Sequence, residues 1–474
     1  MLSVNDLKEA IPVDVGMEVA EGLIFPLSCK QVLRFLPDKR LVCSAQWQGN
    51  AVIAKIFTGW RGRRDYAVEK RGTQRLKDRG ILTPEIRCSG RIPDHDGLVL
   101  LYEEIEKSRT LQDAWDEDMD VERRDSLMRR AVSVLALHHE RGVIQSDLHL
   151  NNFLIINGDI YTIDTSHVTV YPGPVPMRRA IDNLAMLLSQ MYVEEPTVHC
   201  NLFDEYGRCR GFTSSKRQSD RFLRAIRRGR RRLKKNLHNK IYRDCTAYSY
   251  RRIKGGRMLC RREYLTSGLR DYLENIDEKF EEACKQYLKQ GRSSTVCRID
   301  IDEVRLVVKR YNVKSLLSNF RRSMRASRAS RTWSNAHNLL FYSIETARPV
   351  ALIERRSWFM PAVSYFVSES VDGDNAWDYF NKVGSASSEA VVVAEQIVSI
   401  IRRLGNLSIG HGDMKATNFI ITKDGPYLMD LDALVQYHSR ICALRAHRAD
   451  IKRFLENWDD MPSVRGLFEA LENW

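Results

Sequence analysis

Two stretches of the chain carry residues that could move a phosphoryl group. In 142–168, GVIQSDLHLNNFLIINGDIYTIDTSHV, Asp147 is followed five positions later by Asn152 and seventeen positions later by Asp164. In 407–434, LSIGHGDMKATNFIITKDGPYLMDLDAL, Asp413, Asn418 and Asp430 recur at the same offsets, and Phe153, Ile155 and Tyr161 fall on Phe419, Ile421 and Tyr427. Phosphoryl transfer from a nucleotide asks for charge neutralisation and in-line positioning more than for covalent work. A loop Asp can orient an acceptor hydroxyl, and an Asn with a later Asp can hold magnesium. A polar loop whose carboxylates only cap helices or satisfy turns is the plainer reading of one such stretch. Two copies, each with a lysine upstream, tell against it.

The elements that must position these residues also repeat. Leu127, Ala131, Val134, Leu135 and His138 follow helical spacing before Gly142, and Val393, Ile397, Ile400, Ile401 and Leu404 do so before Gly405. Each polar cluster is therefore expected in a loop after a buried helix. Further upstream, LVCSAQW and AVIAKIF flank Gly49-Asn50, and STVCRID and VRLVVKRY flank Asp302-Glu303. Both pairs read as hairpins with a lysine, Lys55 or Lys309, near the end of the second strand. Such a lysine can hold the α- and β-phosphates of a nucleotide. Glu69, in a helical stretch over 62–80, is the expected partner of Lys55, with Arg64 and Arg71 close enough in sequence to compete. The corresponding segment of the second half, RASRASRTWSNAHNLLFY, offers Lys309 no carboxylate. His138 and His139 are adjacent, so on a helix they point apart, and one is expected to face the core.

A chain of 474 residues exceeds one typical hydrophobic core. Its 43% hydrophobic and 29% charged residues exclude wholesale disorder. Without an apolar run of membrane-spanning length or a signal-peptide pattern, a cytoplasmic protein is expected. The ten cysteines show no C-x-x-C pair or zinc-ligand spacing and read as reduced, mostly buried thiols. The net charge of +14 is concentrated in 208–262, including Arg227, Arg228, Arg230, Arg231, Arg232, Lys234 and Lys235. That block reads as a solvated linker, as a surface for anionic lipid, or as a nucleic-acid contact using Tyr242, Tyr248 and Tyr250. No nucleic-acid module surrounds those tyrosines, so nucleic acid is the least expected partner.

The D-x-x-x-x-N loop followed by an apolar strand and Asp resembles the catalytic and metal-binding loops of the protein-kinase superfamily. The forms HGDMKATNFII with LMDLDA, and SDLHLNNFLI with TIDTSH, are similar to the bacterial lipopolysaccharide core kinases, which phosphorylate heptose or 3-deoxy-manno-octulosonic acid (Kdo) at the cytoplasmic face of the inner membrane. In the second half LKQGRSSTV resembles the family's phosphate-covering turn, VVKRYNVKS carries the lysine, and RADIKRFLENW resembles a later helix with a buried Asp, Asp450. Asp182, in RRAIDNLAMLL, is its expected counterpart in the first half. Gln145-Ser146 stands where the family has His-Gly, and no glycine-rich turn precedes Lys55.

The resemblance implies an α+β chain of two tandem bilobal protein-kinase-like domains, 1–239 with a basic connector over 205–239, and 240–474. It implies ATP and Mg²⁺ as cofactors and a hydroxyl of the lipopolysaccharide inner core, carried on lipid A, as acceptor, with peripheral contact to the inner membrane. Asp147 and Asp413 take the catalytic role, and Asn152, Asp164, Asn418 and Asp430 the metal. Lys55, Glu69, Lys309, Gly291, Ser293, Ser294, Thr295 and Lys415 are assigned to ATP. A pseudokinase scaffold in which one or both domains bind without turnover, and a kinase of another small molecule or protein, are the alternatives.

Overall fold

Each half of the chain is rich in β-strands towards its start, the first after a short helix Val4–Ala10, and helical towards its end. The computed structural model describes residues 4–36, 39–93, 97–105, 108–117, 120–191, 196–312, 326–357 and 360–472. Residues 313–315 at the end of VVKRYNVKS, and Arg325, lie outside that set. The chain divides into two units, Met1–Arg231 and Arg232–Trp474. The division falls eight residues before the boundary expected at 239/240, inside the helix Lys216–Lys240.

In the first unit Val13–Ala20, Leu23–Leu36, Arg40–Trp47, Asn50–Thr58, Ile86–Ile92 and Gly97–Glu103 close into a barrel, the last two exchanging order in space. Alternation puts Met17, Leu27, Leu41, Cys43, Val52, Ala54, Val99 and Leu101 inside it. Glu18 pairs with Arg91 across the closing seam, where Arg91 Nε donates to Glu18 Oε2 at 2.5 Å. The hairpin turn sits at Gln48 and Gly49, both with positive φ, one residue earlier than the sequence suggests. After the helix Gly59–Asp78, a second core gathers around the helices Val121–Glu140, Met177–Leu188, Pro196–Cys209 and Lys216–Lys240 through Leu135, Leu184, Phe203 and Phe222. The basic connector is thus helical, because Phe222, Ala225 and Ile226 give it an apolar face to bury.

The second unit is built on a seven-stranded antiparallel sheet. Its spatial order is Tyr248–Ile253, Gly256–Arg261, Pro349–Ser357, Met360–Glu369, Val304–Tyr311, Ser294–Ile301, Gln286–Gln290. The expected turn at Asp302 and Glu303 is present, with φ of 49° and 66°. The helices Arg328–Phe341, Ala376–Val383, Ser388–Asn406 and Arg440–Leu455 follow, and Phe380, Phe454, Trp458 and Phe468 stack among the last of them. Gly405 lies inside its helix, which runs on to Asn406; Ser408, at φ 57°, ends that turn as Gly142, at φ 74°, does in the first unit.

Cys284 and Cys297 form a disulfide, correcting the expectation of reduced thiols. Strand pairing of Gln286 with Arg298 brings the two residues together across a separation of 13 that carries no sequence signal. Cys209 and Cys442 are exposed. No helix among the described residues is long and apolar enough to cross a membrane.

Candidate functional site

The two polar loops fold alike. Asn152 Nδ2 donates to the Asp147 carbonyl at 2.9 Å, and Asn418 Nδ2 to the Asp413 carbonyl at 2.8 Å. The N–H of Ile163 donates to the Asn152 carbonyl at 2.8 Å, and that of Met429 to the Asn418 carbonyl at 2.7 Å. An amide whose nitrogen is engaged in this way turns its oxygen to the opposite side. Asp164 and Asp430 both have φ of 56°, a left-handed conformation that a short Asp side chain tolerates. Each unit therefore ties the segment bearing its second Asp directly to the loop bearing its first Asp and its Asn.

The strand lysines differ in their partners. Lys55, on Asn50–Thr58, forms an ion pair with fully buried Glu69 from the helix Gly59–Asp78, as expected from sequence. Arg71 does not compete, since its Nε donates to the Ala67 carbonyl at 3.1 Å. The same helix touches the segment after Asp164: Thr165 Oγ1 donates to the Glu69 carbonyl at 3.0 Å, and a Cβ on Gly72 would lie 2.0 Å from the Thr165 carbonyl oxygen. Lys309, lacking a helix carboxylate, pairs with Asp430 itself. The helix Arg328–Phe341 instead presents Thr332, whose Oγ1 meets the Tyr311 hydroxyl at 2.8 Å.

Three arginines without a motif in the sequence surround the acidic groups of the two sites. Arg40 Nη1 lies 3.5 Å from Glu69 and 3.6 Å from Asp164, and Arg34 Nη1 lies 3.7 Å from Asp164. Val42 faces Lys55 across the sheet as Val296 faces Lys309, so Arg40 occupies the register position of Ser294. In the second unit Arg328 clasps Asp432 with two nitrogens and reaches the Ser293 carbonyl at 3.2 Å. Each guanidinium lies over the ring two residues past its lysine, Arg40 at 5.9 Å from Phe57 and Arg328 at 4.8 Å from Tyr311. Burial acts to raise the Asp164 carboxyl, but Lys55, Arg40, the Ser166 hydroxyl and Arg34 together hold it below the ordinary carboxylate value. Burial acts the same way on Asp430, which Lys309, then Lys289 and His411, hold low.

The supporting bonds match with different residues. His411 Nε2 lies 3.0 Å from the Met429 carbonyl; Gln145 Nε2 reaches the equivalent Ile163 carbonyl at 3.1 Å. Asp450 accepts from the N–H groups of His411 and Gly412 at 2.6 and 2.9 Å. Its counterpart is Asn183, not Asp182: Asn183 Nδ2 donates to the Gln145 carbonyl at 3.0 Å, while Asp182 is exposed and pairs with Arg221 at 2.8 Å. Both His138 and His139 are buried, correcting the expectation of one. His139 bridges the Tyr206 hydroxyl at 2.7 Å and Asn183 Oδ1 at 3.0 Å.

Asp147 lies 3.1 Å from His149, and Asp413 lies 3.0 Å from Lys415 and 3.3 Å from Arg453. Lys415 thus sits on Asp413. The turn assigned to phosphate is confined to 291–293, closed by the Gly291 N–H donating to the Ser294 carbonyl at 3.1 Å; Ser294 and Thr295 belong to the following strand, and Ser294 is buried.

Among the described residues no group of three or more His, Cys, Asp or Glu is suited to a metal ion. One amide and one carboxylate per unit instead match magnesium, which keeps water and phosphate oxygens as further ligands. Asn418 and Asp430 fit that demand. Asn152 and Asp164 do not, because two guanidiniums and an ammonium already balance Asp164. No protein-family model matches the chain, and no curated protein matches its sequence.

Proposed function

We propose that the second unit is an ATP- and magnesium-dependent sugar kinase whose acceptor is a heptose or Kdo hydroxyl of the lipopolysaccharide inner core. The observation that carries this reading is the joined geometry of Asp413, Asn418 and Asp430, with Lys309 on the last of them. Magnesium–ATP, when bound, supplies the phosphoryl group and neutralises charge on it. Asp413 would accept the proton of the acceptor hydroxyl as the hydroxyl oxygen bonds to the γ-phosphorus and the bond from that phosphorus to the departing ADP breaks, and Lys415 and Arg453 hold that carboxylate in place. Lys309 is available to move from Asp430 to nucleotide phosphates, and Arg328 anchors the phosphate-covering turn through the Ser293 carbonyl. The sugar class rests on the motif resemblance.

A second reading applies to the first unit, where Arg34 and Arg40 at Asp164 favour a pseudokinase that supports the second unit without turnover. The test is transfer of label from γ-labelled ATP to under-phosphorylated lipopolysaccharide by the purified chain. Asp413→Asn should abolish transfer and Asp147→Asn should leave it within about twofold. Transfer that survives Asp413→Asn would refute the catalytic role of the second unit. Labelling of another acceptor in preference to the core would refute the sugar assignment alone.

A further inference from the structure

We propose that the helix Lys216–Lys240 docks the first unit on an anionic lipid bilayer through a stripe of arginines. At about 100° per residue, Arg217, Arg224, Arg228 and Arg231 fall within roughly 60° of arc, with Arg227 on its flank. All five are exposed. Phe222 and Ile226 lie on the opposite face, with Ala225 at its edge, and join the unit's core, so the helix is fixed with its cationic side outward.

Arg228 approaches Asp182 at 3.6 Å. The other four make no ion pair with another described residue, and Asp220 is the one carboxylate on their arc. At about 1.5 Å per residue the stripe runs roughly 21 Å in a straight line. A rigid, straight row of exposed guanidiniums complements a plane of phosphate headgroups, each charge adding to the attraction.

The same charges would attract nucleic acid, but sequence-tolerant binding of single strands also needs aromatic platforms. Two of the three tyrosines that could have served are engaged elsewhere. Tyr242 bonds to Ser334 at 2.6 Å and Ser330 at 2.9 Å, and Tyr248 is buried against Trp333 and His337. The stripe itself carries no aromatic residue.

The test is cosedimentation of the full chain with vesicles of phosphatidylcholine, alone or mixed with phosphatidylglycerol, at low and high salt. The wild type should pellet only with the mixed vesicles and be released by salt. R217Q/R224Q/R231Q should lower the bound fraction roughly tenfold or more, and R217K/R224K/R231K should keep it within about twofold. Far-UV circular dichroism melts should coincide for all three proteins. Failure to pellet with mixed vesicles, binding indifferent to salt, loss in the lysine variant equal to that in the glutamine variant, or tighter binding to single-stranded RNA than to vesicles would each overturn the proposal.

Discussion

Asp164 and Asp430 stand at the same point of the same local fold, yet two guanidiniums crowd the first while a single ammonium touches the second. The residue two positions later accounts for much of the contrast. In the second unit that residue is Asp432, and it draws Arg328 to itself. In the first it is Ser166, whose hydroxyl donates to Asp164 Oδ1 at 3.1 Å, so Arg40 has only Asp164 and Glu69 to neutralise. A duplicated polar site can thus diverge through the placement of counter-charges while its acidic and amide residues remain in register.

If Asp432 diverts an arginine from the metal position, Asp432→Ser should release Arg328 toward Asp430. The expected loss in kcat/KM for magnesium–ATP is roughly a hundredfold, about 3 kcal/mol. Steady-state kinetics at varied ATP would show it, and an unchanged kcat/KM would break the explanation. Arg40→Ser makes the converse change. It leaves buried Glu69 with Lys55, and half-buried Asp164 with Lys55 and exposed Arg34, as near counter-charges and should destabilise the first unit by about 3 kcal/mol in urea titration. A loss under about 1 kcal/mol would mean that Arg40 acts as a surface ion pair.

Acid should loosen both units and so sharpens the comparison as a shared background. Burial holds His138, His139 and His337 at about 3, 4 and 3, below the value of about 6.5 expected in an unfolded chain. Protons therefore bind the unfolded chain first. The stability tied to these neutral rings is complete above about pH 6.5 and is lost as pH falls toward the folded values. Each should cost about 2 kcal/mol at pH 5, visible as faster hydrogen exchange in both halves; exchange in either half that does not respond to pH would contradict the buried, neutral histidines.

The smallest effects concern the residues supporting the loops. Asn183→Asp cannot donate to the Gln145 carbonyl and should cost about 2 kcal/mol. Gln145→His, which imports the second unit's solution to the same bond, should cost less than about 1 kcal/mol. Thermal melts of both variants measure the difference, and an equal loss would show that the two supports are not interchangeable.

Much of the site was legible because its signal is local. The Asp, Asn and Asp offsets are set by one loop and one short hairpin, and the lysines by tight turns whose residues accept positive φ. Glu69 was legible because Lys55 sits just one strand end and about three helical turns before it. Asp182 misled because it is an acidic residue one position from Asn183, and only packing reveals which of the two faces the loop. Arg34, Arg40 and Arg328 carry no motif, since a guanidinium finds its partner through sheet register or across a separation of 104 residues. The closed barrel, the seven-stranded sheet and the Cys284–Cys297 bond likewise depend on long-range pairing that local periodicity does not encode.

The most direct test of the central claim replaces magnesium with paramagnetic Mn²⁺ and follows ATP-dependent metal binding to the full chain by electron spin resonance. Asp430→Asn should abolish that binding and Asp164→Asn should leave it unchanged. Equal loss in both variants, or loss in Asp164→Asn alone, would contradict the assignment of the metal site to the second unit.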